Sequence, residues 1–360
     1  MNKLLILVKK YPSDEEPYAL TYVHSRCIEY QKKGIAFDVL SFDTKRKYSY
    51  QKVNIITKSE AASKIREYSH IVSHAPNLRQ HLPFLIKYCI GKQKIFFLHG
   101  HEILIKKNHY PRAYSFTFKN DFHKTTSTLI NNTYDKIKTA ILRQLIKKTR
   151  NSKFILVSEH LKKIAETDLK IEFPSTKTSI INNCVNEKFI SNTYAAASPK
   201  KADLITIRQL DNSTYCLDVV HRLAIANPTL KFTVYGKGHF FDHNPMPENI
   251  NFIQSFFKHE ELLEILSQHR AALMPTRHDS QGVMSCEMAT FGIPLITSNI
   301  KVCNEIFSEM PNVALIDNEE TINLDTLIQT LQDNLSPPNK SKFNPANTTD
   351  KELNTIIEKT

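Results

Sequence analysis

Short apolar runs alternate with longer helical stretches through most of this chain, and that alternation narrows its folds more than any other feature. In the first half the runs fall at residues 4–8, 37–41, 53–56, 71–73, 95–98, 154–157 and 179–181. They are too short for buried helices and lack the alternation of half-exposed antiparallel strands. Strands buried on both faces, linked by crossover helices such as 21–33, are the expected solution, giving parallel sheet with helices on each side. Residues 191–201 carry few bulky apolar side chains and read as a linker. A second alternating set starts at Leu204, with a helix over 218–226, strands over 231–235 and 251–253, and a helix over 260–268. The predicted fold class is α/β, with two Rossmann-like doubly wound domains facing across a cleft. The expected boundaries are 1–190, a linker at 191–202, a second domain at 203–345 and a terminal helix at 346–360.

Composition excludes several alternatives. The chain has 360 residues and is 41% hydrophobic, enough for two ordinary cores. No stretch approaches the roughly 20 apolar residues of a membrane span, and residues 4–8 read as a first strand rather than a signal peptide. The six cysteines (27, 89, 184, 216, 286 and 303) show no paired spacing, so a reduced, cytoplasmic chain without zinc is expected. The formal net charge is +12. Basic surfaces meet nucleic acid, anionic membrane or phosphorylated ligands, but no sequence-specific nucleic-acid motif is present. Ordinary basic solubility is the competing reading.

Function is concentrated in residues 271–305, AALMPTRHDSQGVMSCEMATFGIPLITSNIKVCNE. The run 271–274 reads as a strand, 275–281 as a polar loop, Gly282 as the opening of a helix over 283–291, and 295–297 as the next strand. Ligands of open α/β sheets sit at such strand-to-helix turns, and a helix start suits phosphate. Asp279 and Glu287, eight positions apart, can flank one polyhydroxylated ligand. A strand, turn and helix bearing two acids is also common scaffold.

This segment resembles the donor-binding signature of retaining glycosyltransferases of family 4, which have the GT-B fold. Asp279, Gly282, Glu287, Gly292 and Pro294 stand where that family shows E-x7-E, a loop glycine and a G-x-P strand, with Asp replacing the first Glu. The resemblance covers most of the chain, except 106–151. It implies transfer of a sugar from a nucleotide diphosphate sugar with retention, and without a metal or other cofactor. It implies that Glu287 holds the nucleotide ribose and Asp279 the donor sugar, with Gly282, Val283 and Met284 at the diphosphate. It also implies that the final helix crosses back to the first domain. Arg208, Tyr215 and Asp218 match a segment of the form R-x5-K-Y-A-x-D that grips the diphosphate, but Thr214 replaces its lysine. Lys237, between Gly236 and Gly238, is the candidate substitute. Ser255 and Phe256 lie where relatives meet the base. His99, in FFLHGHE, matches a histidine that faces the sugar, with His101 and Glu102 as competitors. The catalytic candidates are therefore His99, Arg208, Asp279 and Glu287.

Two functions are open at this point. The first is an enzyme acting on a saccharide or lipid-linked acceptor in cell-surface polysaccharide synthesis. The second is a GT-B-shaped binding module without catalysis, suggested by Thr214, Asp279 and a first half lacking a glycine-rich loop at 11–22. Residues 134–150 place Ile137, Ile141 and Leu145 at helical spacing among basic side chains. That pattern fits either peripheral contact with an anionic inner membrane face or a surface helix that packs its apolar stripe inward.

Overall fold

The computed structural model describes residues 3–16, 20–118, 121–148, 151–196, 199–255, 259–334 and 336–357. The chain divides into two compact units. The first comprises Met1–Lys106, Asn132–Asn186 and Lys342–Thr360, and the second Lys107–Asn131 and Glu187–Ser341. Residues 107–131, which the sequence pattern does not place, thus belong to the second unit. Tyr114 and Phe116 pack against its core.

Among the described residues the first unit holds β1 (Lys3–Val8), β2 (Phe37–Ser41), β3 (Tyr48–Tyr50), β4 (Val53–Ile56), β5 (Tyr68–His74), β6 (Gln93–Leu98), β7 (Ser152–Leu156) and β8 (Thr178–Ile180). Their order is β3-β4-β2-β1-β5-β6-β7-β8, parallel except for the β3–β4 hairpin. That hairpin turns through Gln51 and Lys52, both in the left-handed region. The central strands are buried on both faces, which is why they read as continuous apolar runs. The closing helix Pro345–Ile357 packs on helix Thr21–Lys32. Glu352, on that closing helix, is fully buried and receives Arg26 Nε at 2.6 Å and the Tyr30 hydroxyl at 2.9 Å. Arg26 also donates to Asn183 Oδ1 at 3.0 Å.

The second unit holds β9 (Ala202–Ile207), β10 (Phe232–Tyr235), β11 (Ile250–Ile253), β12 (His269–Leu273), β13 (Leu295–Ser298) and β14 (Val313–Ile316), all parallel, in the order β11-β10-β9-β12-β13-β14. Strand order reverses between β9 and β12 here and between β1 and β5 in the first unit. Such reversals open a crevice beyond the carboxyl ends of the strands, because the flanking connections leave toward opposite faces.

Candidate active site

The β9/β12 switch point holds Arg208, Asp279 and Gly282, and Lys237 and Ser255 follow the neighbouring strands β10 and β11. Arg208 follows β9 directly. Its Nη2 donates to the Met274 carbonyl beyond β12 at 3.2 Å, and its guanidinium lies 5.0 Å from the centre of the Tyr215 ring. Its buried Nε has no partner among the described residues. Burial lowers its pKa from the ordinary guanidinium value, and the nearby Asp279 carboxylate opposes that shift. The side chain is half-buried, and a buried donor left without an acceptor is costly unless a ligand completes it.

Two glycines shape this edge. A Cβ on Gly236 would lie 1.8 Å from the Arg208 carbonyl oxygen, so only glycine lets the two strand ends converge. A Cβ on Gly238 would meet Asp211 at 2.7 Å, and that carboxylate accepts the His239 amide at 2.7 Å. Between them Lys237 is exposed, its carbonyl accepting the Leu210 amide at 2.9 Å. Ser255 stands two residues beyond β11 on the same edge. Phe256 lies outside the described residues.

The loop after β12 is held from several sides. Thr276 receives a bond on its carbonyl from Asn318 at 3.1 Å, and its amide donates to Ser298 Oγ at 2.8 Å. Asp279 Oδ1 accepts the amides of Ser280 and Gln281 at 2.8 and 3.1 Å. One Asp279 oxygen therefore shapes the turn, and the other lies beside Gly282. Gly282, at φ 77°, starts helix Val283–Phe291. The first-turn N–H groups of a helix have no intrahelical acceptor; here they include those of Val283 and Met284. Glu287 is buried on the second turn.

Thr214 is buried, and its carbonyl accepts the Arg277 amide at 2.9 Å and the Thr276 hydroxyl at 3.1 Å. It supplies no cation. Arg277, which sequence reasoning missed, lies next to it but grips Asp218 with both terminal nitrogens, at 2.9 and 2.6 Å. Tyr114 also donates to Asp218, at 2.6 Å. Burial raises the Asp218 pKa, but Arg277 and Tyr114 outweigh it, and the carboxyl sits below its ordinary range. Tyr110 packs its ring against His278, centroids 4.3 Å apart. The segment 107–118 therefore borders this edge, which no spacing in the sequence announced.

In the first unit, His99 follows β6. Its amide and that of Gly100 donate to Glu102 Oε1, the latter at 3.2 Å. Glu102 thus shapes the turn rather than competing with His99, and His101 lies 3.5 Å from its other oxygen. The His99 ring shares a hydrogen bond with His74, Nε2 to Nδ1 at 3.3 Å, and lies 4.6 Å from the Tyr22 ring. Burial, then the Arg26 guanidinium, holds both imidazoles well below the ordinary histidine range. Whichever ring donates, each keeps one buried nitrogen without a partner, Nδ1 of His99 and Nε2 of His74. The hydroxyls of Ser41 and Ser73 are also buried and unpartnered. An unmatched buried polar atom costs about 1–3 kcal/mol, and these four lie at the carboxyl ends of β2, β5 and β6, with Ser73 and His74 on opposite faces of the sheet. Ser41 closes β2 while Ser73 and His74 close β5, so no sequence spacing groups the three.

Residues 204–334 match the family model for glycosyl transferases group 1. No curated protein sequence matches the chain. Solved structures resemble it over nearly their whole length. HepE of Anabaena, in complex with UDP and glucose, aligns at a TM-score of 0.69 and 10% identity, covering 99% of each chain. TarM aligns at 0.64 and 11%, covering 100% of this chain and 96% of that one. WaaG, a glycosyltransferase involved in lipopolysaccharide biosynthesis, aligns at 0.62 and 12%, covering 99% and 100%. The chain has the GT-B fold, and the match to the group 1 glycosyl transferase model falls in its second unit.

Proposed function

We propose that the protein moves a sugar from a nucleoside diphosphate sugar to a saccharide or lipid-linked saccharide acceptor, with retention and without a metal. The observation that carries this reading is Arg208. It is a half-buried guanidinium with a buried, unpartnered Nε, set at a strand-order reversal and near the Asp279 carboxylate that lies beside Gly282. Guanidinium and helix N–H groups together suit a diphosphate. They would stabilise it most as it departs, when its charge is greatest, and such stabilisation is usually the largest catalytic term. Glu287 is assigned to the ribose and Asp279 to the donor sugar, the latter through the oxygen not used in its turn. His99, neutral at pH 7, would offer one ring nitrogen to a sugar hydroxyl. The Anabaena HepE structures hold UDP with glucose, and UDP-glucose. S. aureus TarM has been solved with UDP and a GlcNAc-glycerol. These ligands support a uridine diphosphate hexose as donor, and the likeness to WaaG, involved in lipopolysaccharide biosynthesis, supports a cell-surface glycan as acceptor.

The test is release of nucleoside diphosphate from a panel of nucleotide sugars, with and without saccharide acceptors. Arg208→Ala is expected to lower transfer at least about a hundredfold, corresponding to about 2–4 kcal/mol of transition-state stabilisation. Unchanged turnover would remove Arg208 from the mechanism. Thr214 favours a second reading, a module that binds nucleotide without turning over. Nucleotide binding with no release against any acceptor would establish it.

A further inference from the structure

Helix Asp121–Lys148 buries a different stripe from the one its sequence suggests. Asp135, Lys138, Thr139, Leu142 and Ile146 face inward. Lys138 is held there by Asp135 at 2.7 Å and by the Leu104 carbonyl at 2.6 Å. Ile137 and Ile141 point to solvent, 52% and 37% exposed. The preceding crossover helix, His81–Tyr88, does the same at its end, with Ile86 63% and Ile90 81% exposed. These helices connect β5 to β6 and β6 to β7. Those strands are consecutive neighbours, so both connections step in one direction. Right-handed crossovers then place both helices on one face of the sheet, side by side, running back toward the amino ends of the strands.

Residues 79–94 and 132–148 contain nine Lys or Arg and a single acid, Asp135. That acid is already bonded to Lys138. Lys87, Lys136, Lys147 and Lys148 are exposed around the isoleucines. Exposed branched aliphatics within a field of one sign are unusual on a freely soluble face. We infer that this face is a docking surface for an anionic lipid bilayer. The lysines meet the headgroups, and the isoleucines enter the boundary with the acyl chains. A second copy of the chain fits poorly, because a two-fold contact sets like charges against each other. A soluble polyanion would leave the isoleucines unused. The inference does not rest on the sugar-transfer reading, and its test needs no nucleotide.

The test is co-sedimentation of the full chain with vesicles of phosphatidylcholine alone or mixed with phosphatidylglycerol, at low and high salt. Binding to the anionic vesicles alone, weakened by salt, is expected. Ile137→Glu with Ile141→Glu should reduce it at least about tenfold. Lys147→Glu with Lys148→Glu should reduce it about twentyfold or more at low salt, near fivefold for each charge lost. Ile86→Glu with Ile90→Glu provides an independent pair should the first fail to fold. Thermal midpoints and nucleotide binding should match the parent, since all these side chains are exposed. No binding by the parent chain, or equal binding to both vesicle types, would overturn the inference. Loss on charge reversal with none from either isoleucine pair would show that the isoleucines do not enter the bilayer and would also overturn it. A dimer that the isoleucine changes dissolve would assign the face to a second copy instead.

Discussion

The carboxyl edges of the two sheets are built from opposite materials. In the second unit the edge is charged and clamped. Gly236 and Gly238 draw loops into contact, Asp279 and Asp211 cap amides, and Arg208 is left with an open donor. In the first unit the edge sets neutral groups beside the turn that Glu102 shapes. His74 and His99 are kept uncharged by burial and by Arg26, and Ser41 and Ser73 offer unpartnered hydroxyls. Under the proposed sugar transfer, the charged edge would meet the anion whose charge grows during reaction, and the first edge would meet hydroxyl groups.

The largest expected effect tests what holds the neutral edge in place. Arg26 lies beneath the two histidines and depends on Glu352. Glu352→Ala leaves a buried cation uncompensated and should cost about 3–5 kcal/mol. Urea denaturation measures that loss. Hydrogen exchange should show it in β1 and β5 and spare β9 and β12. Uniform deprotection of both sheets would mean that the units do not differ in this way.

The next effect is pH dependence. Burial holds His74 and His99 well below the ordinary histidine range and brings His81 to about 4. Above the unfolded pKa near 6.5 these rings are neutral in both folded and unfolded chains. Below it the unfolded chain takes up protons that the folded chain refuses, so stability falls with falling pH. For His81 that window runs from the unfolded value down to about 4. Each such ring adds a slope of up to about 1.4 kcal/mol per pH unit. Melting temperatures across this range should decline, and His81→Gln should flatten the decline. A pH-independent midpoint would contradict the neutral reading of this edge.

The smallest effect concerns the cation missing at Thr214. Lys237 is exposed, so Lys237→Ala should weaken nucleoside diphosphate binding less than about tenfold, as a screened surface charge does. A loss as large as that from Arg208→Ala would make Lys237 the replacement for the absent lysine.

The sheets were largely legible in the sequence because parallel strands buried on both faces leave uninterrupted apolar runs. Helix Val283–Phe291 was readable because Gly282 and Gly292, both at positive φ, mark its ends. The hairpin strand β3 escaped because Tyr48, Ser49 and Tyr50 form no such run. The positions of Asp279 in the loop and Glu287 on the helix were readable from the strand–loop–helix pattern. The Arg277–Asp218–Tyr114 cluster was not, since it joins three segments and Tyr114 comes from a stretch that no pattern assigned. The outward isoleucines illustrate a different limit. Helical spacing groups Ile137 with Ile141, but it does not say which side of a helix faces the sheet. Here Asp135 and Lys138, buried as a pair, take the inward positions.

The contrast between a charged and a neutral edge is tested most directly by calorimetric titration. The ligand is whichever of uridine, guanosine and cytidine diphosphate most raises the melting temperature. Arg208→Ala should weaken its binding at least about tenfold, through loss of a charge-assisted contact to phosphate. His74→Ala combined with His99→Ala should leave the affinity within about twofold, as mutations away from a binding site do. Unaltered binding in Arg208→Ala, or an equal loss in the histidine pair, would contradict the account.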